Sequence, residues 1–236
     1  MSRLDDPALV ASEYADESRL RRRAAGYAGA GTREDARVPL VDAVVAAAPQ
    51  RVLEVGCGWG DFAVRIAAQT GAEVIALDLS PRMVELARER GVDARVGDVQ
   101  ELPFRDGEFD CAVAVWMLYH VPDLDRGLAE LARVLRPGGR LVAITNGVGH
   151  LAEMWALLGG REGLVLPFRR ENGAEILSRH FASVTEHDLH ATAVFEDRES
   201  IERYLGSLHP DLATALPEVE LPFHAHGEPT VFVADR

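Results

Sequence analysis

The residues best able to do chemistry together lie between positions 52 and 78. The segment VLEVGCGWGD, residues 52–61, sets Gly56, Gly58 and Gly60 at alternate positions between an apolar run and an amphipathic one, and Asp78 ends the next apolar run. Glycines here let the backbone turn sharply and approach a ligand without side-chain obstruction, and a carboxylate about twenty residues on can accept both hydroxyls of a ribose. Two kinds of ligand compete. A dinucleotide asks for G-x-G-x-x-G and a bare helix N-terminus to receive its pyrophosphate. In this chain the third glycine comes one position early, Asp61 stands at the helix start where it would repel an anion, and Glu54 adds negative charge beneath the turn. A cationic ligand, such as a sulfonium carrying an ammonium group, suits these charges better than a dinucleotide does.

The elements around this turn alternate. Residues 9–25 read as a polar, arginine-rich helix and residues 36–48 as a second helix. RVLEVG is a compact strand, DFAVRIAAQ a helix stopped near Gly71, and EVIALDL a second strand. Ser80 is a good N-cap and Pro81 sits where a helix best accepts proline, so a helix runs on through MVELARER. ARVGDV is a third strand. FDCAVAVWML, nearly all apolar, is a fourth, expected to be buried on both faces. DLDRGLAELARVL is an amphipathic helix ended by PGG, and RLVAIT a fifth strand. This β-α-β-α-β-α-β order predicts an α/β fold: a Rossmann-like, doubly wound, mostly parallel seven-stranded sheet with an N-terminal helical lid and an inserted cap segment after strand five. The expected organisation is one domain over residues 1–236, with a lid at 1–35, a core at 36–146, and a cap with the final strands at 147–236. In that last part HLAEMWALLGG, ENGAEILSRHF and RESIERYLGSL read as helices, SVTEHDLHATAVFE and TVFVAD as strand material, and PEVELPFHAHGEP as a loop.

Composition bounds the partners. The 236 residues carry a net charge of −13, which disfavours a nucleic-acid substrate. All 25 basic residues are arginine, so a lysine base, a Schiff base and a phosphate-loop lysine are excluded. The two cysteines, Cys57 and Cys111, make neither zinc-ligand spacing nor a disulfide framework, and no apolar run reaches membrane-spanning length. A cytoplasmic protein, monomeric or homodimeric, is the expectation.

Residues 38–146 resemble the core of class I S-adenosylmethionine-dependent methyltransferases, and are most similar to the small-molecule branch that includes the ubiquinone/menaquinone C-methyltransferases (the methyltransferase type 11 domain). VLEVGCGWG matches the family's first motif, LDLS its acidic ribose position, VGDVQELPF its adenine turn, AVWMLYHVPD its fourth-strand motif and LRPGGRLVAI its fifth-strand motif. The resemblance implies S-adenosylmethionine as cofactor, S-adenosylhomocysteine as product, and methylation of an O, N or C atom of a small-molecule acceptor. It implies that Gly56 and Gly58 pass the methionine part along their backbone, with Glu54 supporting the turn and Val115 near the methionine portion. Asp78 would bind the ribose hydroxyls, Leu79 and Met83 would flank the adenine, and Asp98, with the Val99 amide beside it, would accept from the adenine amino group. Each has a simpler alternative: Gly60 as packing, Met83 as core, Asp98 as a turn residue. A non-catalytic cofactor-binding protein and a nicotinamide-dependent oxidoreductase remain as rival readings.

Methyl transfer from a sulfonium is an in-line displacement that chiefly needs alignment, with a base only where the acceptor must lose a proton. His120, just past the fourth strand at the sheet's carboxyl edge, is the base candidate, or else a residue that positions its loop. The family more commonly has a double histidine here, where this chain has Tyr119 before His120. The acceptor pocket is expected from the N-terminal helix and the segment after strand five, with Tyr14, Tyr27, Tyr119, His150, Trp155 and Phe168 as candidates. RLRRR, residues 19–23, reads as a solvated helix face from which one arginine could hold an acidic acceptor or the cofactor carboxylate. His187 with His190, and His224 with His226, are spaced to share a face, yet lack the further ligands of a metal site, and none is expected.

Overall fold

The computed structural model describes residues 5, 6, 10, 14, 17, 18, 21, 37–160, 166–208 and 210–236. Their chain order is α1 (Arg37–Ala46), β1 (Arg51–Val55), α2 (Asp61–Thr70), β2 (Glu73–Asp78), α3 (Pro81–Glu89), β3 (Asp93–Val96), β4 (Phe109–Val115), a 3-10 turn (Leu118–His120), α4 (Leu124–Val134), β5 (Leu135–Asn146), α5 (Ala152–Leu157), α6 (Arg170–Leu177), β6 (Ser183–Asp188), β7 (Ala191–Phe195), α7 (Arg198–Leu208), α8 (Pro210–Thr214), β8 (Phe223–Gly227) and β9 (Pro229–Asp235).

One seven-stranded sheet has the order β3-β2-β1-β4-β5-β9-β6. The first five strands are parallel, while β9 runs antiparallel to both β5 and β6. The order reverses between β1 and β4, which is where an open α/β sheet leaves a crevice beyond its strand ends. The alternation of side chains sorts the core into two layers. Leu53, Ile75, Leu77, Ala112, Ala114, Leu141 and Phe232 face Leu128 and Leu131 of α4 and Leu177 of α6. Val52, Val113, Val142, Ile144 and Val231 face Leu40, Val41 and Val44 of α1 and Ile66 of α2. Ala76 and Ala94 meet Val84 and Ala87 of α3. As its composition predicts, β4 is covered on both faces.

Local chemistry explains the helix starts. Ser80 caps α3, its side chain accepting from the Met83 amide with Pro81 in the first turn, and Asp123 caps α4 through the Arg126 amide. The buried Leu128, Leu131 and Val134 repeat every three residues, so α4 lays one apolar stripe on the sheet.

Several expectations need correction. β4 stops at Val115 because Trp116 takes a left-handed turn, φ 49°, rather than running to Leu118. β3 ends at Val96, and the Gly97 amide turns to the Asp78 carbonyl. PGG does not separate α4 from β5: the strand starts at Leu135, and the three residues fall where its pairing with β4 is irregular. SVTEHDLHATAVFE divides between two sheets, β6 pairing with β9 and β7 with β8. PEVELPFHAHGEP, expected as a loop, contains β8, since Ala225 and Gly227 turn inward beside exposed His224 and His226. β7 and β8 form a separate two-stranded sheet whose Ala193, Phe195 and Ala225 share a small core with Met154 of α5 and Ile201 and Leu205 of α7. Among the described residues no helix is long and apolar enough to cross a membrane.

Candidate functional site

The glycine turn lies at the carboxyl end of β1, and all three of its glycines have positive φ: 66° at Gly56, 52° at Gly58 and 79° at Gly60. Left-handed backbone disfavours any side chain, and two of the three also lack room for one. A Cβ on Gly56 would lie 2.7 Å from the Met117 Cβ, so the turn rests directly on the exit from β4. A Cβ on Gly60 would come within 3.0 Å of Ala87 and Val92, which identifies Gly60 as the packing residue between the turn and α3.

Asp78 fastens this turn. One carboxylate oxygen accepts the Gly58 amide at 2.8 Å and the other the Ser80 amide at 2.9 Å. Burial raises its pKa, against the pull of those two bonds. Glu54, only 1% exposed, lies below. Burial, then the charge of Asp78, pushes it up to about 8, although it accepts the Ala63 amide; Asp61 adds to the rise. Its Oε2 atom is buried without a hydrogen-bond partner. Asp61 itself pairs with Arg90 at 3.0 Å at the surface. Cys57, inside the turn, is a buried free thiol whose pKa is raised by burial and then by Glu54, which makes it a packing residue and no nucleophile.

The neighbouring candidates separate into open and closed. Leu79 follows Asp78 and is 55% exposed, an apolar surface beside the carboxylate. Met83 of α3 is fully buried. Val99 and Val115 are buried. Asp98 accepts the Gln100 amide at 2.8 Å, and the Gln100 side chain bonds both its oxygens at 3.1 and 2.9 Å, so here it is a turn residue. Gln100 also accepts the Asp123 amide, tying that turn to the cap of α4.

Beyond β4, the Trp116 indole donates to Asn146 at the end of β5, at 3.1 Å, and packs edge-on to Phe62. The 3-10 turn then presents Tyr119 and His120, their rings 4.5 Å apart. The Tyr14 hydroxyl lies 3.0 Å from His120 Nε2, so two expected site residues 106 positions apart meet. The Ser80 hydroxyl donates to the Tyr14 carbonyl at 2.7 Å, and Glu17 receives Arg82 at both oxygens, 3.0 Å each. Arg21, of the RLRRR stretch, is exposed, 3.9 Å from Glu17, with its guanidinium 6.0 Å from the Trp59 ring centre.

The acceptor candidates after β5 fare less well. Phe168 is fully buried against Phe232 and is core, a correction to its expected place in a pocket. His150 is buried and accepts the Glu228 amide through Nδ1, holding the loop after β5. Trp155 is half-buried against the core of the smaller sheet. Tyr27 lies outside the described residues. His187 and His190 are exposed on and after β6, and His226 bonds Glu153. Among the described residues no group of three or more His, Cys, Asp or Glu is placed to hold a metal ion. The sequence offered no signal for the Trp116–Asn146 hook, the Gln100 bridge or the Glu17–Arg82 pair, because each joins residues brought together only by the fold.

Comparison with known proteins agrees with this geometry. Residues 53–143 match a family model described as a methyltransferase domain. A methyltransferase, GfsG, of Streptomyces halstedii is 43% identical over 102 residues, covering 40% of this chain and 37% of that protein. A demethylmenaquinone methyltransferase of Thermus thermophilus is 39% identical over 111 residues, covering 44% of this chain and 50% of that protein. The chain thus spans half or less of the curated relatives it matches. Among solved structures, the YcgJ protein of Bacillus subtilis shares the fold with a TM-score of 0.62 at 20% identity, over 84% of this chain and 97% of that one. Residues 53–143, which hold the glycine turn, Asp78 and the ends of β3 and β4, are therefore similar to a methyltransferase domain, and they lie in a Rossmann-like sheet.

Proposed function

We propose that the chain binds S-adenosylmethionine over the glycine turn and methylates an O, N or C atom of a small-molecule acceptor at the carboxyl edge of β4 and β5. The observation that carries this reading is the buried Glu54 oxygen without a partner, beneath a turn already bounded by Asp78 and Asp61. An acid left without a partner among carboxylates fits a cationic ligand, which would draw Glu54 toward its ionised form, and offers nothing to a pyrophosphate. The nicotinamide reading loses support on the same ground.

Gly56 and Gly58 would pass the ligand along their backbone, and Asp78 would receive its ribose. Leu79, Asp98 with Val99, and Val115 would border the rest, with Asp98 exchanging bonds it now makes to Gln100. When bound, the cofactor supplies an electrophilic methyl group on sulfur. This chain's own part is to align the acceptor and manage one proton. In the tautomer that carries its proton on Nδ1, His120 accepts from Tyr14 at Nε2, and the same lone pair can take a proton from an acceptor that displaces the hydroxyl. Tyr119 and the segment after β5, with Trp155 at its flank, would bound the acceptor. On this reading residues 1–35 act as a lid, 36–146 as the cofactor core and 147–236 as the acceptor-side cap with the final strands. The free cysteines fit a reducing cytoplasm, and a monomer or homodimer suffices.

Calorimetric titration with S-adenosylmethionine, S-adenosylhomocysteine and NADH tests the reading. Micromolar binding of the first two and none of NADH supports it; NADH binding alone overturns it.

A further inference from the structure

Three contacts converge on one short stretch of the N-terminal segment. The Ser80 hydroxyl holds the Tyr14 carbonyl, Arg82 grips both oxygens of Glu17, and the Tyr14 hydroxyl reaches His120 Nε2. Two of these anchors come from the start of α3, Ser80 as its cap and Arg82 in its first turn, immediately after Asp78. A single anchor at the Tyr14 carbonyl fixes a point but leaves the segment free to pivot. A second anchor three residues on, made by a planar guanidinium to a carboxylate at two points, fixes its rotation as well. The phenol ring then meets the imidazole edge-on at 5.6 Å.

We infer that Glu17 and Arg82 are positioning residues: their two-point ion pair, with the Ser80 hydroxyl, sets Tyr14 on His120. The inference rests on the reading of His120 as the proton-handling residue, and it extends the site to a pair that touches neither cofactor nor acceptor. The pair is half-exposed, with side-chain exposures of 23% for Glu17 and 37% for Arg82, so it adds little to global stability by itself. Its consequence is geometric. The hydrogen bond to Arg82 holds the Glu17 carboxyl down at about 2, so the pair stays ionised and the anchor intact throughout the neutral range. Glu85 also bonds Arg82 and keeps the guanidinium over the helix start. Ser80 is the junction. Its amide donates to Asp78, its oxygen caps α3 and its hydroxyl holds the segment, so the carboxylate of the glycine turn and the placement of Tyr14 share one residue.

The test reads His120 directly, on the full chain without cofactor or acceptor, by nitrogen-15 spectra of the histidine rings, with His120→Ala assigning the signal. Tyr14→Phe should move the His120 Nε2 resonance. Glu17→Ala and Arg82→Ala should each move it to the same place, and the double variant no further, because all break one chain of contacts. The exchanged pair, Glu17→Arg with Arg82→Glu, should return the resonance toward its original position, which a merely structural role would not require. A His120 signal that moves in Tyr14→Phe but stays fixed in both single variants overturns the positioning role. A signal that ignores Tyr14→Phe overturns the contact itself. Neither result bears on the cofactor, which the titration above tests separately.

Discussion

The glycine turn and the Tyr14–His120 contact share one edge of one sheet but are assembled over different lengths of chain. Gly58 and Asp78 are 20 residues apart and meet through a backbone amide and a buried carboxylate. Tyr14 and His120 are 106 apart and meet through two side chains in a partly buried place. The first region is held by parallel strand pairing and by glycines whose left-handed backbone makes any substitute costly, while the second hangs on contacts that exist only once both ends of the segment are docked. A site built on backbone can hold a constant ligand. One built on side chains from distant segments can change its partner without disturbing the sheet.

Four experiments sharpen or break that contrast. The largest effect is expected in the second region: His120→Ala should slow transfer to any acceptor the protein turns over by about 100-fold or more while leaving S-adenosylhomocysteine affinity in place. An equal loss of affinity would erase the division between the two regions. Next comes Gly56→Ala, which must place a Cβ against Met117 at positive φ. It should cost about 2–4 kcal/mol of stability in chemical denaturation, and a neutral result would mean that the turn is not built as described. Asp78→Ala should weaken S-adenosylmethionine binding by about 1–3 kcal/mol in calorimetry, through lost ribose bonds and a loosened Gly58. Unchanged affinity in a folded variant would remove the ribose assignment. Taken per pH unit, the smallest effect is the pH dependence of Glu54. Its value rises from 4.5 to about 8 on folding, so its protonated form favours the native state. That contribution is whole below the unfolded value and fades as pH climbs toward the folded one, by at most about 1.4 kcal/mol per pH unit. Glu54→Gln should therefore differ least from the parent protein below pH 4.5 and gain on it steadily from there to about pH 8, as read by urea unfolding. Parallel pH curves would place the buried charge elsewhere.

The same contrast explains what was legible in advance. The strands and helices of residues 51–146 follow from apolar runs bounded by Gly, Pro and the cap at Ser80, all local signals. Errors fell where tertiary pairing overrides local pattern. Alternating small and polar residues in FHAHG form a strand because β7 lies beside them, and an apolar Trp116 leaves its strand at a left-handed turn that puts its indole on Asn146. Phe168 and Met83 show the converse: an apolar side chain announces that it will be buried, but whether by core or by ligand depends on what packs over it.

By itself the sequence determined the order of strands and helices as far as β5, a sharp glycine turn and the excess of carboxylates around it, because backbone freedom and charge are properties of residues and their neighbours in the chain. Only the tertiary structure decided that Gly60 packs on α3, that a Glu54 oxygen is left without a partner, and that Tyr14 reaches His120 under the hold of Glu17 and Arg82. Those are outcomes of burial and of contact between remote segments, and neither has a signature in local spacing.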